Sequence, residues 1–198
     1  MFSDPLRQPS RQRGVTLVEL IMFIVIVAVA LAGIIGVMRM TTANSADPLR
    51  RKQALMIAEG LLEEVRSAAF TICDPSSPNS DTALAAADCD IPEAWGQAAP
   101  EPANPRPFDN VNDYVPRANT DTAAFDTGGV LTNAAGTPFG VQGYTARVNI
   151  APVELFGVGA AGADANADVL RIRVTVAFDA GQSVVLDGYR MRYARPGF

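Results

Sequence analysis

Hydrophobic residues along the chain change their period twice. From Val15 to Met38 they run almost without interruption, 24 residues in which only Thr16 and Glu19 are polar. At about 1.5 Å per residue this makes a helix of roughly 36 Å, enough to cross a hydrocarbon core of roughly 30 Å with some tilt. The pattern predicts a membrane helix over 15–40. From Leu49 to Phe70 apolar residues recur at steps of three and four. Leu55, Ala58, Leu62, Val65 and Ala69 form one face, opposite Arg51, Lys52, Glu59, Glu63 and Arg66, which predicts an amphipathic helix. Near the end the period falls to two. Tyr144–Ile150, Leu170–Phe178 and Ser183–Tyr193 alternate, the last two joined across a turn at 179–182, as strands of a half-buried antiparallel sheet do. Leu170, Ile172, Val174 and Val176 share one face, and Arg171, Arg173 and Thr175 the other.

The segments between are breaker-rich. Residues 71–140 contain PSSPNSD, PEPANPRP and TGGV and support little beyond short helical turns, one of them at 81–87. The link over 153–168, with Gly157, Gly159 and Gly162, reads as a loop. Around Asp47 and Pro48 two readings compete. Either one long helix kinks at the proline, or a second helix starts there with Asp47 as N-cap and Pro48 in its first position. Covering the apolar face of the second helix with the apolar face of the sheet gives an α+β fold, one helix on three or four antiparallel strands. The expected organisation is a leader at 1–14, a transmembrane helix at 15–40 and the amphipathic half of the helix at 41–70. An irregular region at 71–140 and the sheet at 141–198 follow.

Charge and composition narrow the function. Arg7, Arg11 and Arg13 precede the apolar run, so the positive-inside bias puts residues 1–14 in the cytoplasm and the rest beyond the membrane. The formal net charge is −5, which disfavours nonspecific nucleic-acid binding. The chain has no histidine, so imidazole acid–base chemistry, His-dependent triads and His metal sites are excluded. Beyond the membrane, Cys73 and Cys89 stand in an oxidising compartment. There a disulfide is favoured over two free thiols, and two thiols are too few for structural zinc.

Glu19 is the anomaly of the apolar run, because a carboxylate on a membrane helix costs a few kcal/mol unless it is interfacial or paired. The natural cleavage point, Gly14, lies before the apolar run rather than after it. A basic leader ending in Gly14, followed by Val15, TLVEL at 16–20 and Glu19, resembles the prepilin signature of type IV pilins and type II secretion pseudopilins. The resemblance covers about 30 residues. It implies cleavage after Gly14 by a prepilin peptidase, methylation of the new terminus at Val15 and a fifth-position carboxylate, Glu19, that pairs with the terminus of a neighbouring subunit. Val15 departs from the Phe or Met usual there, and Gly36 stands about where family members often carry a proline. The family's long amino-terminal helix favours near continuity from 15 to about 69, kinked at Pro48. Loss of the leader would remove Arg7, Arg11, Arg13 and Asp4, leaving 13 basic against 20 acidic residues, a net charge of −7.

A second, shorter resemblance is carried by ADPLRRKQALMIAEGLLEEV at 46–65 and FDNVNDY at 108–114, which look like the MSHA-type minor pilins of the MshD-like branch. Together they imply a non-enzymatic pilus subunit without cofactor. Its partners would be the prepilin peptidase/N-methyltransferase, other major and minor pilins, the inner-membrane assembly platform and the lipid bilayer. It would be anchored in the inner membrane before entering the filament. The alternatives are a type II secretion pseudopilin and, from another class, a membrane-tethered adhesin or DNA receptor that never polymerises. Asp164, Asn166 and Asp168 have the alternate spacing of half a calcium loop, but Val169 stands where its Gly belongs and Thr175 where its Glu belongs. Asp109 and Asp113 suit capping better than calcium. Arg171, Arg173, Arg190, Arg192 and Arg195 make the carboxy-terminal end basic, as a solvated face or as a docking patch for an acidic neighbour or DNA.

Overall fold

The computed structural model describes residues 14–43, 48–97, 105–179 and 181–192. The chain divides into two compact units, the second beginning at residue 47.

The first unit is one helix, α1, Leu17–Ala43. Thr16 stands at its start: Thr16 Oγ1 accepts the Glu19 backbone N–H at 3.3 Å and Thr16 O accepts that of Leu20 at 3.1 Å, the geometry of an N-cap. The helix therefore opens two residues later than the apolar run. Leu17–Met40 is long and apolar enough to cross a membrane, and none of that stretch is buried within the chain.

The second unit is an α+β head. Helix α2, Pro48–Ser67, begins at its proline, where the missing N–H costs nothing. The expected helical continuity through Pro48, and Asp47 as N-cap, fall on 44–47, outside the described residues. α2 packs on a three-stranded antiparallel sheet of β3 (Tyr144–Pro152), β4 (Val169–Phe178) and β5 (Gln182–Met191), in the order β3-β4-β5. The register runs unbroken from Val169↔Met191 to Phe178↔Gln182, and from Tyr144↔Phe178 to Pro152↔Leu170. Leu170, Ile172, Val174, Val176 and Phe178 are buried towards α2, as the alternation predicts.

The buried stripe of α2 differs from the expected one. Ala54, Ile57, Ala58, Leu61, Glu64, Val65 and Ala68 are buried, Leu55 is exposed, and Leu62 and Ala69 are half-buried. The stripe is rotated because the head covers the helix from two sides. The sheet takes one flank. The other is taken by the turn at Val111–Tyr114 and by Phe125, which join the same core. Deep burial of Leu61 and Val65 is worth about 1.5–3 kcal/mol each.

Residues 71–140 are mostly irregular, as the breakers dictate. They hold two 3-10 turns, Ala86–Asp88 and Val111–Tyr114, and a two-residue hairpin of β1 (Asp126–Thr127) and β2 (Val130–Leu131). The first turn starts five residues later than the expected helical turn at 81–87. What fixes this region is a buried polar anchor. Glu64 on α2 receives Arg106 at two points, Nε to Oε1 at 2.6 Å and Nη2 to Oε2 at 2.8 Å. Tyr114 Oη donates to Oε1 at 3.0 Å. The same guanidinium donates to Phe125 O at 2.7 Å, Thr132 O at 2.7 Å and Thr132 Oγ1 at 2.9 Å. One bidentate pair thus ties 105–107, 114, 125 and 132 to the helix.

Candidate functional site: the amino-terminal segment

Gly14 to Thr16 precede the helix without regular structure, and all three are exposed. A Cβ added at Gly14 would meet nothing within 4 Å. The fold itself places no demand for glycine there. Val15 is 70 % exposed.

Glu19 lies in the first turn of α1. A carboxylate there faces the positive end of the helix dipole, worth about 0.3–1 kcal/mol. Among the described residues no cation pairs with it. Val15, Leu17, Val18, Leu20, Ile21, Met22 and Phe23 are all more than half exposed, so the segment presents a lone carboxylate on an apolar rod. Farther along, a Cβ added at Gly33 or Gly36 would likewise meet nothing within 4 Å, and a shallow apolar groove is lined by Val29, Ala30, Gly33, Ile34, Val37 and Met38. Glycine inside a helix costs about 1 kcal/mol relative to alanine.

In the head, Cys73 and Cys89 are joined as a disulfide with Cα atoms 5.4 Å apart. Asp113 Oδ2 accepts the Asn110 backbone N–H at 3.0 Å, a cap on the 3-10 turn, and Asp109 O accepts the Ala69 N–H at 2.9 Å. Asp164 Oδ1 accepts the Asn166 N–H at 2.9 Å, a local turn bond. Among the described residues no three His, Cys, Asp or Glu side chains group as metal ligands.

The carboxy-terminal arginines do not form one face. Arg173 is paired with Asp187 through two 2.7 Å bonds, which hold the Asp187 carboxyl below the usual carboxylate range. Arg171 lies on that outer face, across from Tyr189. Arg190 instead reaches the end of α2, donating to Ala68 O at 2.9 Å. The Arg192 guanidinium sits 4.5 Å over the Phe70 ring. Arg195 lies outside the described residues. The reading of all five as one solvated sheet face is corrected for Arg190 and Arg192. They follow the alternation of β5 to its helix side, past the last turn of α2.

The anchor of Glu64 and Arg106 escapes the sequence pattern. Glu64 follows Glu63 in an acidic pair, and Arg106 sits 42 residues away in a proline-rich run. Only the step of three to four residues that links Glu64 to Leu61 and Ala68 marks it as inward-facing. Burial and the adjoining Glu64 carboxylate raise the Tyr114 phenol well above its ordinary pKa, as expected of an anchored donor.

No curated protein and no solved structure matches the chain. Residues 9–35 match the prokaryotic N-terminal methylation motif, and this prepilin-type signature, on an exposed apolar helix in a chain with an α+β head, supports a type IV pilin-like chain.

Proposed function

We propose that the protein is a minor pilin, cut after Gly14 by a prepilin peptidase, methylated at Val15 and built by α1 into a type IV pilus of the MSHA kind. The observation that carries this reading is Glu19, the one acid on α1, exposed among apolar side chains and without a cation among the described residues. Desolvating such a carboxylate is unfavourable by several kcal/mol unless a charge meets it. The ammonium created at Val15 of a neighbouring subunit supplies that charge and sets axial register. The apolar rod is solvated by lipid before assembly and by neighbouring helices after it. The disulfide-bearing irregular region of the head marks it for priming or capping the filament rather than repeating along it. The motif supports a type II secretion pseudopilin equally, because the two differ in machinery rather than in chemistry.

The test is Glu19→Ala in cells that assemble the filament. Membrane insertion and protein level stay normal while recovery in sheared filaments falls at least tenfold. Undiminished recovery contradicts the role of Glu19, and retained function with no filament association points to a tethered receptor.

A further inference from the structure

The two edges of the sheet are treated differently. At the β3 edge, Asn119 N–H donates to Ile150 O at 2.7 Å. Thr122 and Val148 exchange backbone bonds of 2.8 and 2.9 Å. The strand is covered by residues 119–122. At the β5 edge, among the described residues, no backbone group pairs with the outer side of Gln182–Met191.

Apart from Arg190 on its helix side, β5 also lacks the usual protections of an open edge. It is ten residues long, contains neither Lys nor Pro, and keeps its register with β4 without a bulge. Its outer face leaves Val185, Tyr189 and Met191 exposed by 48, 45 and 47 %. Its one acid, Asp187, is already matched by Arg173.

On the helix side the same edge is flanked by arginines. Arg66, whose Nη1 also lies 3.7 Å from Glu63 Oε2 in an exposed pair, packs over Gly188, with its Cδ 3.2 Å from where a Cβ there would stand. Arg190 follows two residues later, and Arg192, stacked over Phe70 and donating to Ala167 O at 3.2 Å, lies just past the end of the strand. On the other face Arg171 stands opposite Tyr189.

From these features we propose that the β5 edge is an interaction surface that accepts an extended strand of another protein, with apolar side chains towards Val185, Tyr189 and Met191 and carboxylates towards Arg66, Arg190 and Arg192. Main-chain bonds along the edge supply affinity, and the alternate side chains supply selectivity. Charge disfavours a second copy as the occupant. An antiparallel self-pairing centred on Gly188 would bring the Arg66 side chains of both copies together over its centre, with Arg190 of both copies on the same face, and like charges gathered there repel. The inference does not depend on cleavage after Gly14.

Hydrogen–deuterium exchange of the full-length protein in detergent micelles tests it. The probes are an acetylated, amidated octapeptide alternating valine and glutamate, and its valine–lysine counterpart. At saturating valine–glutamate peptide the amides of Gln182–Met191 should exchange at least tenfold more slowly, and the valine–lysine peptide should bind at least tenfold more weakly. Arg66→Glu combined with Arg192→Glu should remove that preference. Arg66→Glu alone, at an exposed position, should reduce it if the double variant does not fold. Protection outside β5, no protection, or equal protection by both peptides overturns the proposal. So does protection that grows with protein concentration alone, which would put a second copy on the edge.

Discussion

Two glutamates on successive helices have opposite fates. Glu64 on α2 is buried, with its side chain 3 % exposed, and Arg106 and Tyr114 of the same chain satisfy it. Glu19 on α1 stands exposed on an apolar rod, without a cation among the described residues. The head closes its core over a charge that it neutralises itself. The amino-terminal helix is apolar and exposed over Leu17–Met40, and among the described residues its one acid meets no cation. Glu64, with its partner in the chain, belongs to folding; we propose that Glu19 belongs to assembly.

The sharpest way to break this contrast is to remove one side of the internal pair. Arg106→Met leaves Glu64 buried and unmatched, and should lower the stability of the head by about 3–5 kcal/mol. Replacing both members by apolar residues, Glu64→Leu with Arg106→Met, should recover much of the loss. Chemical denaturation of the purified full chain, followed through Trp95 fluorescence, measures both. A loss under about 1 kcal/mol for Arg106→Met, well below the cost of an unmatched buried charge, would mean that the anchor is not what holds 105–140 to α2.

The next effect is the disulfide. Cys73 and Cys89 are 16 residues apart, and closing a loop of that size stabilises by about 3 kcal/mol in the chain-entropy picture. Cys73→Ser with Cys89→Ser should shift the same denaturation midpoint accordingly and leave insertion of α1 unchanged.

Smaller still is Tyr114→Phe, which removes one donor to Glu64 and should cost about 1–2 kcal/mol. It also carries a pH signature. The phenol's pKa is raised on folding by burial and by Glu64, so its stabilising contribution is complete below the ordinary phenol value of about 10. It is lost as pH rises from there towards the folded value. The native chain should weaken above about pH 10 more steeply than Tyr114→Phe, as read from melts across that range.

The smallest expected effect lies on the other side of the comparison. Glu19→Gln should change the stability of the head by less than about 0.5 kcal/mol, whatever it does to assembly. A larger change in the denaturation of the head would deny that folding and assembly rest on separate acids.

Period carried the reading of the sheet. Alternation in Leu170–Phe178 identifies both the strand and its buried face, because a period of two leaves only two choices. It also places Arg190 and Arg192 on the helix side once β5 is paired. The face of α2 was less legible. Leu55 and Leu62 look like core residues beside charged neighbours, but Glu64 is buried by Arg106 and Tyr114, whose position no local pattern encodes. The partnership of Glu64 with Arg106 was illegible for the same reason, since it joins an acidic helix turn to a proline-rich run far along the chain. The amino-terminal segment was legible as a motif because its signals are contiguous in the sequence, residues 9–35.

The central claim is that this segment is a processing and assembly signal. The most direct test is the intact mass and amino-terminal sequence of the protein extracted from membranes with and without the prepilin peptidase. A chain that begins at Val15 and carries one extra methyl group only when the peptidase is present is the predicted result. A chain that still begins at Met1, or is cut beyond the apolar run, would contradict it.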